Sequence, residues 1–169
     1  MKDQHQELIE ALNATPETLQ GLLSRITVAQ ARSAKGGDEN WSVVEVICHL
    51  RDAEEISLGR VKAIRDQDCP RIAAYDQEVL ARERNYREDD PHAALKAFAG
   101  FRKQHTVVLS GLPAKDWERS GEFEAFGQMT ISAHTIHKLY HDSVHCAQIA
   151  RQLLAVKSTK QHQEQSKND

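Results

Sequence analysis

Residues Trp41–Glu54 read W-S-V-V-E-V-I-C-H-L-R-D-A-E, and this stretch decides the class of fold. Ser42 and Glu45 stand three residues apart ahead of an apolar run. That is the spacing of a capping box, in which a hydroxyl and a carboxylate each satisfy a backbone N–H left open by a first helical turn. Apolar residues then recur every three or four positions, at Val46, Ile47, Leu50, Ala53 and Ile56. The spacing predicts a helix from Ser42 to about Arg65 with one face in a core. His49 shares that face with Val46, Ala53 and Ile56. Taken alone, a core-facing histidine is more often a hydrogen-bonded structural residue than a ligand. Trp41 reads as an anchor closing the bundle end where this helix begins.

The same period appears in the rest of the chain. Leu8, Leu12, Leu19, Leu22 and Ile26 mark an opening helix over about Gln4 to Arg25. Thr15-Pro16 within it reads as a helix start, so a break or kink is expected there. Ala31 to Asn40 reads as loop, Asp68-Cys69-Pro70 as a turn, and Asp76 to Arg84 as a short helix. Asp90-Pro91 opens a long helix, with Leu95, Phe98, Phe101, Val108 and Leu109 on its apolar side and Gly111 as its stop. Ser120 to Gln128 reads as a loop or short hairpin, and Thr130 to about Ala155 as the last helix. No internal repeat is present. The expectation is an all-α, four-helix bundle in one domain, residues 1–156, with 157–169 a polar, disordered tail.

Composition narrows the function classes. The 169 residues are enough for one domain with a buried core, and 22 Lys+Arg against 25 Asp+Glu give a net charge of −3. No basic stripe is interleaved with aromatics, which argues against nucleic acid as a partner. No apolar run approaches the roughly 20 residues of a membrane span. The start, MKDQHQELIE, reads as polar helix rather than signal peptide. Cys48, Cys69 and Cys146 are odd in number and lack CxxC spacing, as free thiols of a reducing, cytoplasmic compartment would be.

The chemistry concentrates in histidine. His141 and His145, at i and i+4, lie about 40° apart around a helix and one turn apart along it, so both rings can face one ion. Their face also carries Ile149, Leu153 and His137. Imidazoles buried in an apolar bundle are costly without a partner, and a metal removes that cost. Spacing alone would accept His137 with His141 as readily, and His134 extends the stripe. Glu45 and Asp52, at −4 and +3 from His49, are the candidate catalytic carboxylates. Each also has a plainer role, Glu45 in the capping box and Asp52 in a pair with Arg51 or a neighbouring helix. Asp142 points away from the ligand face, towards an arginine or a helix N-terminus.

The Trp41–Glu54 segment, followed 92 residues after His49 by H-D-S-V-H-C-A-Q-I over His141–Ile149, resembles the paired signatures of the DinB/YfiT-like metalloenzyme superfamily. Pro70, Tyr75-Asp76, Tyr86, Asp90-Pro91, Phe98 and Arg102 resemble one branch of it, as do Trp117, Arg119, Gly121 and Gly127; the likeness runs from about Pro16 to Leu154. The resemblance implies an up-down-down-up bundle, often dimeric, with one divalent ion on His49, His141 and His145. Cys48 and Cys146, each adjacent to one of those histidines, depart from the usual pattern; as neighbours on a helix they point elsewhere and read as core thiols.

Two function classes follow. One is a metal-dependent transferase or hydrolase acting on a small molecule, by thiol-dependent S-transfer or by hydrolysis. The other is a non-catalytic metal-binding or stress-response module with a structural metal, which an Asp or Cys filling the fourth position would favour. Imidazole serves zinc and nickel, and also iron and manganese. A low-molecular-weight thiol is the candidate cofactor. Leu58, Val144 and Leu154 exceed what one narrow core stripe needs, and a homodimer is expected. A bundle of this kind builds its pocket from helix ends and loops, and the loops near Gly36-Gly37, Ile72 to Tyr75 and Phe123 to Gly127 carry no readable recognition motif.

Overall fold

The computed structural model of the chain describes residues 3–36 and 40–165. Its helices are α1 (Gln4–Leu23), α2 (Val28–Ser33), α3 (Val43–Asp66), α4 (Gln77–Glu83), α5 (Pro91–Ser110) and α6 (Ile131–Gln165). The caps lie where the sequence puts them. Ser42 accepts from the Glu45 N–H while Glu45 accepts from the Ser42 N–H, closing the capping box of α3. Asp90 accepts from the His92 and Ala93 N–H groups, and Pro91 opens α5, where its missing donor costs nothing.

The long helices α1, α3, α5 and α6 form the bundle, and two apolar clusters give their directions. One end gathers Leu19 and Leu23 of α1, Val46 and Leu50 of α3, Leu95 and Phe98 of α5, and Ile149 and Leu153 of α6. The other gathers Ile9 and Leu12, Val61 and Ile64, Leu109, and Ile131. Helices α1 and α6 therefore run one way and α3 and α5 the other, which is up-down-down-up. Between the clusters lies a buried polar layer of Glu54, Arg102, His105, Lys138 and Asp142.

Three details differ from the local reading. Helix α1 passes through Pro16 without a break. Proline cannot donate to the carbonyl four residues earlier, and that carbonyl, on Leu12, accepts instead from Arg102 Nη1 at 2.8 Å. A tertiary donor replaces the missing helical one. The expected loop over Ala31–Asn40 is helical to Ser33, because Thr27 and Gln30 form a second capping box. Its Lys35–Gly36 strand (β1) then pairs antiparallel with Trp41–Ser42 (β2), while Gly37 lies outside the described residues. Helix α6 continues past Ala155 to Gln165. The segment K-S-T-K-Q-H-Q-E-Q holds no Gly or Pro and several good helix formers, so nothing local stops it. Of the expected polar tail, 166–169 lie outside the described residues.

The Ser120–Gln128 segment is a hairpin of β4 (Ser120–Phe123) and β5 (Gly127–Thr130), turned at Gly127 with φ +71°. A short strand β3 (Arg71–Ile72) joins β4 in parallel. A Cβ on Gly121 would meet Ile64, Ile72 and the Pro70 carbonyl, each at 3.1 Å, so glycine is what lets the hairpin lie flat on α3. No helix among the described residues is long and apolar enough to cross a membrane.

Candidate metal centre

Helices α3 and α6 bring His49, His141 and His145 together, with one ring nitrogen from each lying within 4.8 Å of the others. His49 Nε2 and His141 Nε2 are 2.9 Å apart. Two nitrogens at about 2.0–2.1 Å from one zinc-sized ion would lie roughly 3 Å apart, so the donor set fits a divalent metal. His134 and His137, which spacing alone could not separate from these, lie elsewhere. His134 Nε2 contacts Ser57 Oγ at 2.9 Å, and the His137 ring packs on Phe126 at 5.1 Å.

Each ring is held by its surroundings. Trp41 is buried and tilts against His49 with ring centroids 5.1 Å apart. His145 Nδ1–H donates to Gln148 Oε1 at 2.8 Å, which puts the lone pair on Nε2. Gln148 in turn donates to the Gly36 carbonyl. His141 Nδ1 faces Asp142 Oδ1 at 3.5 Å. Such partners fix the tautomer and orientation that a ligating ring needs. Burial, and then the neighbouring rings His141 and His145, drive the His49 imidazole far below its ordinary pKa. Burial also takes His141 down to about 4, against the pull of its Asp142 hydrogen bond. Both rings are thus neutral at neutral pH, the form that binds metal.

Asp142 does point to an arginine. Arg102 Nη2 donates to it at 2.5 Å, and Lys138 Nζ, four residues earlier on α6, is its second donor. Arg102 also holds both oxygens of Glu54, at 2.8 and 2.6 Å, and His105 Nδ1 reaches Glu54 at 2.8 Å. Burial alone raises the two carboxyls. His105, Lys138 and Arg102 around Glu54, and Lys138, His141 and Arg102 around Asp142, nevertheless hold both well below the usual carboxylate range. The sequence signal for this layer was a charged residue, Arg102, in line with Phe98 and Leu109 on the core face of α5, with His105 one turn on.

The two carboxylates singled out beside His49 are engaged elsewhere. Glu45 accepts from Ser42 N–H at 2.8 Å and from Arg87 Nε at 3.0 Å. Asp52 accepts from Tyr86 Oη at 2.6 Å, Arg51 Nε at 2.7 Å and Arg84 Nη1 at 2.9 Å. Cys48 is fully buried and donates to Asp89, and Cys146 packs half-buried against the core. Neither thiol joins the three imidazoles.

A groove of about 240 Å³ opens from His49 and His141. It runs between α3 and α6 past Ser57, Arg60, His134 and Lys138, under the Ala74–Tyr75 loop and the hairpin tip at Phe126. Among the described residues, no Asp or Glu lines it. Two of the loops that the sequence offered for the pocket, Ile72 to Tyr75 and Phe123 to Gly127, thus supply its roof, whereas sequence reasoning missed Ser57 and Arg60 in its wall.

A family model described as the DinB superfamily matches residues 11–149. The chain is similar to "Putative metal-dependent hydrolase YfiT" of Bacillus subtilis (strain 168), 23% identical over 157 residues, 90% of this chain and 87% of that protein. It is similar also to a Bacillus pumilus (strain SAFR-032) protein named "Putative metal-dependent hydrolase", 25% identical over 152 residues, 88% of this chain and 84% of the relative. The solved structure of YfiT from Bacillus subtilis superposes with a TM-score of 0.86 at 22% identity, over 93% of this chain and 90% of that one. That structure is described as "a probable metal-dependent hydrolase with an unusual four-helix bundle topology". At this identity the match shows the fold alone, and the fold is the one derived above.

Proposed function

The chain belongs to the DinB superfamily, and from that premise we propose a metal-dependent enzyme in which His49, His141 and His145 hold one divalent ion beside a groove for a small-molecule substrate. Hydrolysis is the reaction that the names of its relatives give. One observation carries the enzymatic reading over a structural staple: among the described residues, no carboxylate or thiol joins the three imidazoles. Structural zinc sites are closed by four protein ligands, and catalytic ones keep a position open. When bound, the ion would supply Lewis-acid chemistry, lowering the pKa of a water to near 7 or deprotonating a thiol outright.

The chain's own residues do the rest. Asp142 and Gln148 orient two of the rings, and Trp41 shields the third from water. Lys138 is tied to Asp142 and Glu54 and so serves the layer beneath the site. A second reading, thiol-dependent S-transfer, is favoured by the acid-free groove. At the ion a thiol is ionised outright, whereas a bound water with its pKa near 7 is only part ionised at neutral pH and gains from a base to take its proton. Zinc and nickel suit three imidazoles with thiol chemistry best, ahead of iron and manganese.

Elemental analysis of the purified protein tests the premise, with one ion per chain expected. Cobalt-substituted protein should then develop a thiolate charge-transfer band on adding 2-mercaptoethanol, and the apoprotein should not. A cobalt spectrum blind to thiols and small anions, with metal removal only lowering the melting temperature, would favour the structural or stress-response module instead.

We also propose a homodimer joined through α6. Leu58 is buried in the single chain, so it adds nothing to that surface. Ile136, Tyr140 and Val144, one turn apart, are 48%, 68% and 41% exposed and form an apolar stripe, with Leu154 beyond them. Light scattering at micromolar concentration should give twice the 19.1 kDa chain mass. A monomer mass alone would rule the dimer out.

A further inference from the structure

The groove has a second built end. His49 and Arg60 both line it from α3, and their offset of eleven residues corresponds to about 16 Å of helix. At the far end the Arg60 guanidinium lies over two rings, 5.6 Å from the centroid of Tyr75 and 5.5 Å from that of Phe123. Nη2 donates to the Ala73 carbonyl at 3.1 Å. These contacts fix the plane of the guanidinium and leave Nε and Nη1 for another acceptor.

No carboxylate supplies one. Among the described residues no ion pair engages Arg60, and the titratable side chains that act with it, Tyr75 and His134, bring it no carboxylate. Lys138, the other cation of the groove, is already neutralised by Glu54 and Asp142. Burial lowers the Arg60 pKa, as expected of a cation partly withdrawn from water without a counter-charge. A planar, aromatic-clamped guanidinium with two donors open is suited to bidentate recognition of an oxyanion. Ser57, whose hydroxyl sits 2.9 Å from His134 Nε2 on the same stretch of wall, is a neutral polar group beside it.

We infer that the substrate, or the thiol that serves it, carries a carboxylate or phosphate group received by Arg60 while its reacting group lies at the three histidines. Arg60 is then a specificity-determining residue, and the groove measures the distance between the two groups. This rests on the metal-enzyme reading above, and the experiment separates the two failures.

Cobalt-substituted protein is titrated with mercaptoalkanoates of three, six and eight carbons, each against the mercaptoalkanol of equal length, and with the eight-carbon mercaptoalkyl phosphate. The thiolate band reports binding directly. A carboxylate preference of roughly tenfold, the scale of a hydrogen bond to a charged group, is expected only in the longer pairs. Arg60→Met should abolish the preference while leaving alkanol affinity and the band unchanged, and Arg60→Lys should keep part of it. A stronger preference for the phosphate than the carboxylate would assign the anion as phosphate, and the reverse as carboxylate. Bands with no acid-over-alcohol preference at any length, or a preference that survives Arg60→Met, would overturn the inference and leave the metal reading standing. A cobalt spectrum that answers neither to any thiol nor to small anions would remove both.

Discussion

Replacing His49, His141 or His145 by alanine is expected to remove most of the bound metal, while His134→Ala and His137→Ala leave close to one ion per chain. The first three place ring nitrogens within 4.8 Å of one another, and the other two are engaged by Ser57 and Phe126. Loss of a direct ligand should exceed the 10–100-fold in affinity typical of losing an orienting partner. Gln148→Ala should fall in that smaller range, because it frees His145 to turn without removing a nitrogen. Inductively coupled plasma analysis of dialysed variants gives the stoichiometry, and competition with a chromogenic chelator gives the affinity. Full metal retention by His49→Ala would sink the assignment of α3 to the site.

What could be read from the sequence was what depends on residues close together in the chain. Ser42 with Glu45 and Asp90 with Pro91 announce helix starts because a cap involves only three or four consecutive residues. The i,i+4 pair on α6 was legible for the same reason. Which pair of the stripe from His134 to His145 meets His49 came from the resemblance and not from spacing, because it depends on the rotation of one helix against another. Pro16 shows a local rule overridden: the carbonyl it orphans is served by Arg102, 90 residues away from Leu12. Glu45 and Asp52 have the helical offset of His49 partners, yet Arg87, Tyr86 and Arg84, from the segment after α4, turn both carboxylates away. The loops of the groove were legible as segments, but how they meet was not, for a related reason. Its floor is written in α3 and α6, but its roof needs the pairing of β3 with β4, which joins Arg71 to Glu122.

The buried layer beneath the metal centre should dominate stability, and Arg102 is its keystone. Arg102→Met keeps most of the side-chain volume but leaves Glu54 and Asp142, both fully buried, with Lys138 as their one fixed cation. It also orphans the Leu12 carbonyl opposite Pro16. Removing one partner of a buried ion pair typically costs about 3–5 kcal/mol, much of it the cost of the stranded charge. Urea denaturation of the metal-free protein should show a loss of that size, and a loss below about 1 kcal/mol would contradict the network. The sign of the pH dependence follows from Glu54. Its folded pKa is held below the unfolded value of about 4.3. The stability it contributes is therefore complete above that value and drains away as pH falls below it, towards the folded pKa. In Arg102→Met the folded pKa of Glu54 rises, so the variant should lose less stability than the parent between neutral pH and pH 3. Equal acid sensitivity in the two proteins would mean that Arg102 does not hold the Glu54 proton off, whatever the cost of the substitution at neutral pH.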